Sequence, residues 1–197
     1  MRAGTRRELV AGPAGRIECA VDRSDGTPRG AALIAHPHPQ FGGTLDNKVV
    51  QTLARAFVEL GYESWRPNFR GVGESEGAYD GGRGEVDDLK AVYEKISERK
   101  VALAGFSFGA AMAAMLAQRV AVERMVLVGV AVTSFEVPPV ASGTIVIHGE
   151  RDDTIPLAAV LDWARPHELP VTVVPDADHF FHRKLHILRA LVRDNWR

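Results

Sequence analysis

Residues 100–120, KVALAGFSFGAAMAAMLAQRV, constrain the fold of this chain more than any other stretch. Val101 to Ala104 form a short apolar run, the pattern of a strand buried on both faces. Gly105-Phe106-Ser107-Phe108-Gly109 follows, and then Ala110 to Val120, rich in the strong helix formers Ala, Met, Leu and Gln. Strand, G-x-S-x-G, helix is the arrangement of a nucleophile elbow. A side chain at Gly105 or Gly109 would collide with the neighbouring strand or helix. The tight turn projects the Ser107 hydroxyl out of the fold, above a helix N-terminus that favours negative charge.

The same five-residue pattern recurs at Gly73-Glu74-Ser75-Glu76-Gly77. That segment is polar and glycine-rich, with no apolar strand directly before it. Two glutamates flank its serine and would oppose a developing alkoxide. It reads as a surface turn, so Ser75→Ala is expected to do little harm to folding or turnover, whereas Ser107→Ala should abolish turnover. Ser107 has an ordinary alternative role as the N-cap of a buried helix, and the rest of the chain decides between the two.

Taken in order, residues 6–22 alternate in patches broken by Gly12, Pro13 and Gly15, as an antiparallel hairpin at a sheet edge would. Ser24 to Pro28 carry turn chemistry. Ala31–Ala35 reads as a buried strand, followed by the loop His36-Pro37-His38-Pro39-Gln40-Phe41-Gly42-Gly43. Asn47 to Leu60 has apolar residues at helical spacing and ends at Gly61, a suitable C′ glycine. Strands are expected at 62–67, 124–132, 144–147 and 171–174. Helices are expected at 85–99, 156–164, with Pro156 in the first turn, and 180–196. Short apolar strands alternating with helices predict an α/β fold, a mostly parallel sheet with helices on both faces, in one domain spanning 1–197.

With 197 residues, 46% hydrophobic and 25% charged, the chain is long enough for a sizeable core. The net charge of -1 and the lack of a basic block or acidic tail argue against a nucleic-acid partner. The single cysteine, Cys19, fits a reducing compartment. Residues 1–10 carry positive charge without a following apolar segment, so no signal peptide is expected, and no apolar run approaches the roughly 20 residues that span a bilayer. A soluble cytoplasmic protein with no membrane partner is the expectation. The composition is compatible with a homodimer.

In open sheets of this kind ligands bind beyond the carboxyl ends of the strands. Four polar clusters fall at such ends: His36-Pro37-His38, Ser107, Asp152-Asp153 and Asp178-His179. A serine hydroxyl needs a base within hydrogen-bond reach. His179, just after the last strand, is the candidate. A base histidine needs an acceptor on its other ring nitrogen. Asp152 is the candidate acceptor and Asp153 its alternative, one of the two facing solvent. An oxyanion formed on a carbonyl needs aimed donors: the Phe108 N–H, and one from the loop after residue 35. Pro37 and Pro39 have no N–H, which leaves His38 or Gln40, with spacing favouring His38.

On these residues the chain resembles the α/β-hydrolases over nearly its whole length. The elbow is Gly105–Gly109. His148-Gly149-Glu150-Arg151-Asp152-Asp153-Thr154-Ile155-Pro156 is similar to the family's H-G-x-x-D-x-x-x-P acid loop, which in that register makes Asp152 the acid. Residues 177–181, ADHFF, resemble the histidine loop, and residues 68–75, NFRGVGES, resemble the R-G-x-G-x-S turn, a structural element beside the site. The order Ser, Asp, His is the family's order. The HPHP loop with its following Gly-Gly, together with residues 46–62, resembles a bacterial subgroup of small α/β-hydrolases. One departure is His36-Pro37 where the family usually has His-Gly.

The resemblance implies a lidless serine hydrolase with catalytic Ser107, Asp152 and His179, oxyanion donors Phe108 and His38, and no cofactor or metal. Residues 132–144 leave room for a loop rather than a lid domain, so an open site and a small or extended acyl substrate are expected, an ester or thioester. Phe41, Phe106, Phe108, Phe135 and Phe180 are candidates for an apolar acyl wall, with core packing the competing role. Other readings are a peptidase or amidase using the same triad, a non-catalytic binding module on the same fold, and a metal site at His36-x-His38.

Overall fold

The computed structural model describes residues 4–23, 25–97 and 99–196. Ser24 of the expected turn, residues 1–3 of the segment read for a signal, and Glu98 of an expected helix lie outside the described residues. Strands β1 (Arg6–Gly12) and β2 (Gly15–Asp22) form the hairpin. Then follow β3 (Gly30–Ala35), α1 (Lys48–Glu59), β4 (Tyr62–Pro67), α2 (Arg83–Ile96), β5 (Val101–Phe106), α3 (Phe108–Leu116), β6 (Met125–Val128), β7 (Ile145–Gly149), α4 (Leu157–Ala164), β8 (Val171–Val174) and α5 (Leu185–Asn195). They build one eight-stranded sheet in the order β1-β2-β4-β3-β5-β6-β7-β8. β1 and β2, and β2 and β4, pair antiparallel, and the other pairs are parallel. The mostly parallel sheet covered on both faces is the α/β-hydrolase architecture that the resemblance implied.

Alternate residues of the central strands feed opposite cores, as the two-residue period of a strand requires. Ala31, Leu33, Val101 and Leu103 pack with α2, α3 and α4, while Ala32, Ile34, Ala102, Ala104 and Phe106 pack with α1 and α5. Asn47 caps α1, its Oδ1 accepting from the N–H groups of Val49 and Val50 at 2.9 and 3.4 Å. Gly61 follows α1 with φ 88°. The start of α2 is held by Glu85, whose carboxylate reaches back to accept from the N–H groups of Gly82 and Asp80 at 2.8 and 2.9 Å. α2 therefore begins ahead of the expected 85. Pro156 precedes α4 as its N-cap rather than sitting in the first turn. No helix among the described residues is long and apolar enough to cross a membrane.

Two elements near the sheet's carboxyl edge differ from expectation, and both differences shape the site. β6 ends at Val128 rather than 132 because Gly129 takes φ 52° and turns the chain away. From there residues 130–144 run as a helix-free strap along α3 and α4. The Trp163 indole donates to Val137 O at 3.1 Å and the Gln118 amide to Pro139 O at 3.0 Å. The strap adds no lid. α5 starts at Leu185 rather than 180, because Phe181 and Arg183 adopt left-handed backbone, φ 54° and 61°, which a helix cannot contain.

Ser75 corrects the expectation of an exposed turn. It does sit in a turn, but it is 6% exposed, and its Oγ donates to Asn68 O at 2.8 Å while accepting from the Glu18 N–H at 2.9 Å. The side chain pins the 68–77 loop to β2. Ser75→Ala leaves both backbone groups short of a partner and should destabilise the fold by about 1–2 kcal/mol. Urea denaturation measures this. An unchanged midpoint would mean that the two groups find other partners.

Candidate active site

The turn between β5 and α3 is strained in the way the glycines foretell. Ser107 has φ 56° and ψ -117°, a backbone conformation that costs on the order of 1–3 kcal/mol and is maintained only where the surroundings impose it. They do so here by close approach. A Cβ on Gly105 would lie 2.3 Å from Gly109 O, and a Cβ on Gly109 would lie 2.3 Å from Ala35 O and 2.5 Å from His36 O. The Ser107 N–H donates to Val128 O at 2.9 Å, tying the turn to the end of β6.

His179 follows β8 and reaches this turn. Its Nε2 lies 3.1 Å from Ser107 Oγ and its Nδ1 lies 2.7 Å from Asp152 Oδ2. The ring packs against Phe106 and Phe180 with centroids 4.8 and 5.1 Å apart. Gly129 leaves it room, since a Cβ there would come within 3.3 Å of His179 Cε1. Asp152 is fixed from behind, its Oδ1 accepting from the N–H groups of Thr154 and Ile155 at 3.0 and 2.7 Å. Asp153, the alternative, is exposed and makes a 3.4 Å contact to the Thr154 hydroxyl. Ser107, His179 and Asp152 are 8%, 3% and 7% exposed, so the three lie largely away from water, where their hydrogen bonds are strengthened.

His148, at the end of β7, is a neighbour of Asp152 that the sequence reading placed in a motif without a role. Its Nε2 donates to Ile155 O at 2.9 Å and stands 3.5 Å from Asp152 Oδ2. Burial lowers its pKa against the pull of Asp152. It therefore supports the acid loop as a neutral ring.

The loop after β3 is closed on one carbonyl. His38 O accepts from the N–H groups of Phe41 and Gly43 at 3.1 and 3.0 Å, and Gly43 packs so closely that a Cβ would meet Pro37 O at 2.0 Å. The Gln40 N–H donates to His38 Nδ1 at 3.2 Å. Among the described residues, neither the His38 N–H nor the Phe108 N–H has an acceptor. The His38 ring also reaches Tyr79, Nε2 to Oη at 3.1 Å, a residue that sequence reasoning missed inside its glycine-rich loop.

His36 serves the scaffold. It is fully buried, with Nδ1 donating to Pro37 O at 2.6 Å and Nε2 accepting from the Phe69 N–H at 3.0 Å. Both nitrogens of His36 and both of His38 are thus engaged by protein groups, which leaves a His36-x-His38 metal site without lone pairs to offer. Among the described residues no three His, Cys, Asp or Glu side chains cluster as a metal would require. His182 and His186 are exposed, and His182 lies in the turn before α5, paired with Asp178 at 2.7 Å. Cys19 offers no rival nucleophile, since burial, with help from Glu8 and Glu18, pushes its thiol up to about 12.

Burial lowers the His36 pKa from 6.5 to about 4. The folded state therefore holds fewer protons than the unfolded state between these values, and stability falls as pH falls through this window. It is fully present above about 6.5 and reduced by about 3 kcal/mol below about 4. Denaturation midpoints measured from pH 7 to pH 4 should show this slope, and it should flatten in His36→Gln. An equal slope in the variant would assign the effect to other groups.

Of the five candidates for an acyl wall, Phe106 and Phe108 are buried at 0% and 1% exposure, Phe135 is half-buried, and Phe41 and Phe180 are exposed at 85% and 45%. Core packing thus claims the first two.

The family model for the alpha/beta hydrolase fold matches residues 38–144. An alpha-beta serine hydrolase homologue from Coxiella burnetii is 38% identical, with each chain covering 100% of the other and a TM-score of 0.92. An alpha/beta serine hydrolase without lid from Xanthomonas campestris is 34% identical, covering 99% of this chain and 94% of its own, with a TM-score of 0.90. An uncharacterized protein of Rickettsia prowazekii is 31% identical over 203 residues, 93% of this chain and 85% of that protein.

Proposed function

Because this chain belongs to the α/β-hydrolase family, we propose that it is a serine hydrolase that cleaves small carboxylic esters or thioesters through an acyl-enzyme. The observation that carries this reading is the unbroken hydrogen-bonded line from the Thr154 and Ile155 N–H groups through Asp152 and His179 to Ser107. Asp152 accepts from Nδ1–H, so Nε2 carries the lone pair that faces the serine.

In the first half-reaction Ser107 Oγ attacks the acyl carbon while His179 Nε2 takes the hydroxyl proton. The carbonyl oxygen becomes an oxyanion and accepts from the Phe108 and His38 N–H groups. His38 is favoured over Gln40 because the Gln40 N–H already donates to the His38 ring. The intermediate collapses, the bond to the leaving oxygen or sulfur breaks, and His179 delivers its proton to the departing alcohol or thiol. Water then attacks the acyl-enzyme, gives a proton to His179 and forms a second oxyanion. Its collapse releases the carboxylic acid and returns the proton to Ser107.

The strap over residues 130–144 contains no helix and adds no lid domain, which supports a small or extended acyl group. Labelling with a fluorophosphonate followed by peptide mapping tests the reading. An adduct on Ser107 is expected. No adduct on folded protein would overturn it and leave a binding role for the fold.

A further inference from the structure

Beside the proposed oxyanion donor lies a hydrogen-bond chain with one end left over. The Gln40 N–H donates to His38 Nδ1, so that nitrogen carries no proton. A neutral imidazole with an unprotonated Nδ1 has its proton on Nε2, and burial favours the neutral ring. His38 Nε2–H therefore donates to Tyr79 Oη at 3.1 Å. The tyrosine is the acceptor, and its own hydroxyl proton has no partner among the described residues. Burial and the nearby Glu85 raise the Tyr79 pKa, which keeps the phenol a donor.

The Tyr79 ring lies 4.9 Å from the His38 ring and 6.1 Å from Phe108. The His38 ring lies 4.8 Å from Phe41, 4.9 Å from Phe108 and 6.4 Å from Phe135. Phe41 is 85% exposed on a turn locked by the His38 carbonyl, so the backbone cannot carry this ring into the core. A group laid over it gains the hydrophobic stabilisation that folding leaves unrealised. Arg70, in the loop after β4, is bound bidentately to Asp88 at 2.8 Å and so is not offered to a ligand. Glu85 is buried and its field opposes an anion.

We propose that Tyr79, His38 and Phe41 form an acyl-chain subsite selective for a neutral acyl group that carries a hydrogen-bond acceptor, such as an ether or carbonyl oxygen, on an apolar chain. The proposal rests on Ser107 being the acylated residue. Tyr79 Oη donates to the acceptor oxygen, and Phe41 covers the chain.

The test is a set of para-nitrophenyl esters in matched pairs: pentanoate with methoxypropanoate, and hexanoate with methoxybutanoate, in which an ether oxygen replaces one methylene. In Tyr79→Phe, kcat/KM for at least one ether ester relative to its methylene partner should fall roughly three- to tenfold, the value of one neutral hydrogen bond. In Phe41→Ala, KM for pentanoate and hexanoate should rise relative to acetate. Phe41 is exposed, so this variant reports even where Tyr79→Phe lowers the melting temperature. A Tyr79→Phe enzyme slowed by one common factor on every ester, together with an unaltered chain-length profile in Phe41→Ala, would overturn the subsite and leave the serine hydrolase reading standing. Failure of wild-type protein to turn over any ester, with no fluorophosphonate adduct on Ser107, would overturn both.

Discussion

Ser107→Ala is expected to lower kcat by roughly four to six orders of magnitude, the range seen when a serine nucleophile is removed from an intact triad. The loss is this large because neither Cys19 nor Ser75 can take over as nucleophile. Cys19 is buried on β2 with its thiol pushed up to about 12, and Ser75 has its hydroxyl engaged by Asn68 O and the Glu18 N–H. Folding should be little affected, with a stability change within roughly 1 kcal/mol. Alanine inherits the φ of 56°, and the interactions that impose it, the Ser107 N–H to Val128 O and the contacts of Gly105 and Gly109, involve no side-chain atom of Ser107. The checks are steady-state kinetics on an activated ester and a thermal melt of the same preparation. If Ser75→Ala were the inactive variant and Ser107→Ala retained turnover, the assignment of the elbow would be wrong.

Asp152→Asn should cost nearly as much, about 10⁴-fold in kcat, for a reason specific to this loop. The outer oxygen, Oδ1, accepts from two backbone N–H groups, Thr154 at 3.0 Å and Ile155 at 2.7 Å. An asparagine must keep its carbonyl there, because its NH2 would face two donors. The NH2 then points at His179 Nδ1, which can accept only if its proton moves to Nε2. That proton faces Ser107 and the base is lost, although every heavy atom stays in place. The variant should therefore fold and bind product like the parent. Imidazole proton shifts in the NMR spectrum would report the changed tautomer. Activity within tenfold of the parent would mean that His179 does not depend on Asp152 for its orientation.

Much of this geometry is legible in the chain because its causes are local. The apolar run at 101–104 lies in β5, the helical spacing of 47–60 matches α1, and Tyr62–Pro67 and Val171–Val174 are strands as read. At Gly105 the steric exclusion is local, a Cβ there lying 2.3 Å from Gly109 O, whereas at Gly109 it comes from the end of β3, with Ala35 O at 2.3 Å. Where expectation and structure part, the cause is distant in sequence. β6 is cut short at Gly129, beside the His179 ring. The helix expected from residue 180 waits until 185, because Phe181 is turned into the core and the chain must first present His179. Ser75 looked like a surface residue because its own segment is polar, but β2 packs over it.

By itself, then, the sequence determined the alternation of strands and helices, the tight turn at Ser107 and the four polar clusters at strand ends, since each depends on neighbours within a turn or a strand. Which members of those clusters meet is a tertiary matter. Ser107 and His179 are 72 residues apart and come within 3.1 Å only because β5, β6, β7 and β8 lie side by side. The choice of Asp152 over Asp153, the engagement of the Gln40 N–H, and the hydroxyl proton left over on Tyr79 were likewise decided by the folded chain. Each is a question of which donor already has an acceptor, and hydrogen-bond partners are assigned in space rather than along the sequence.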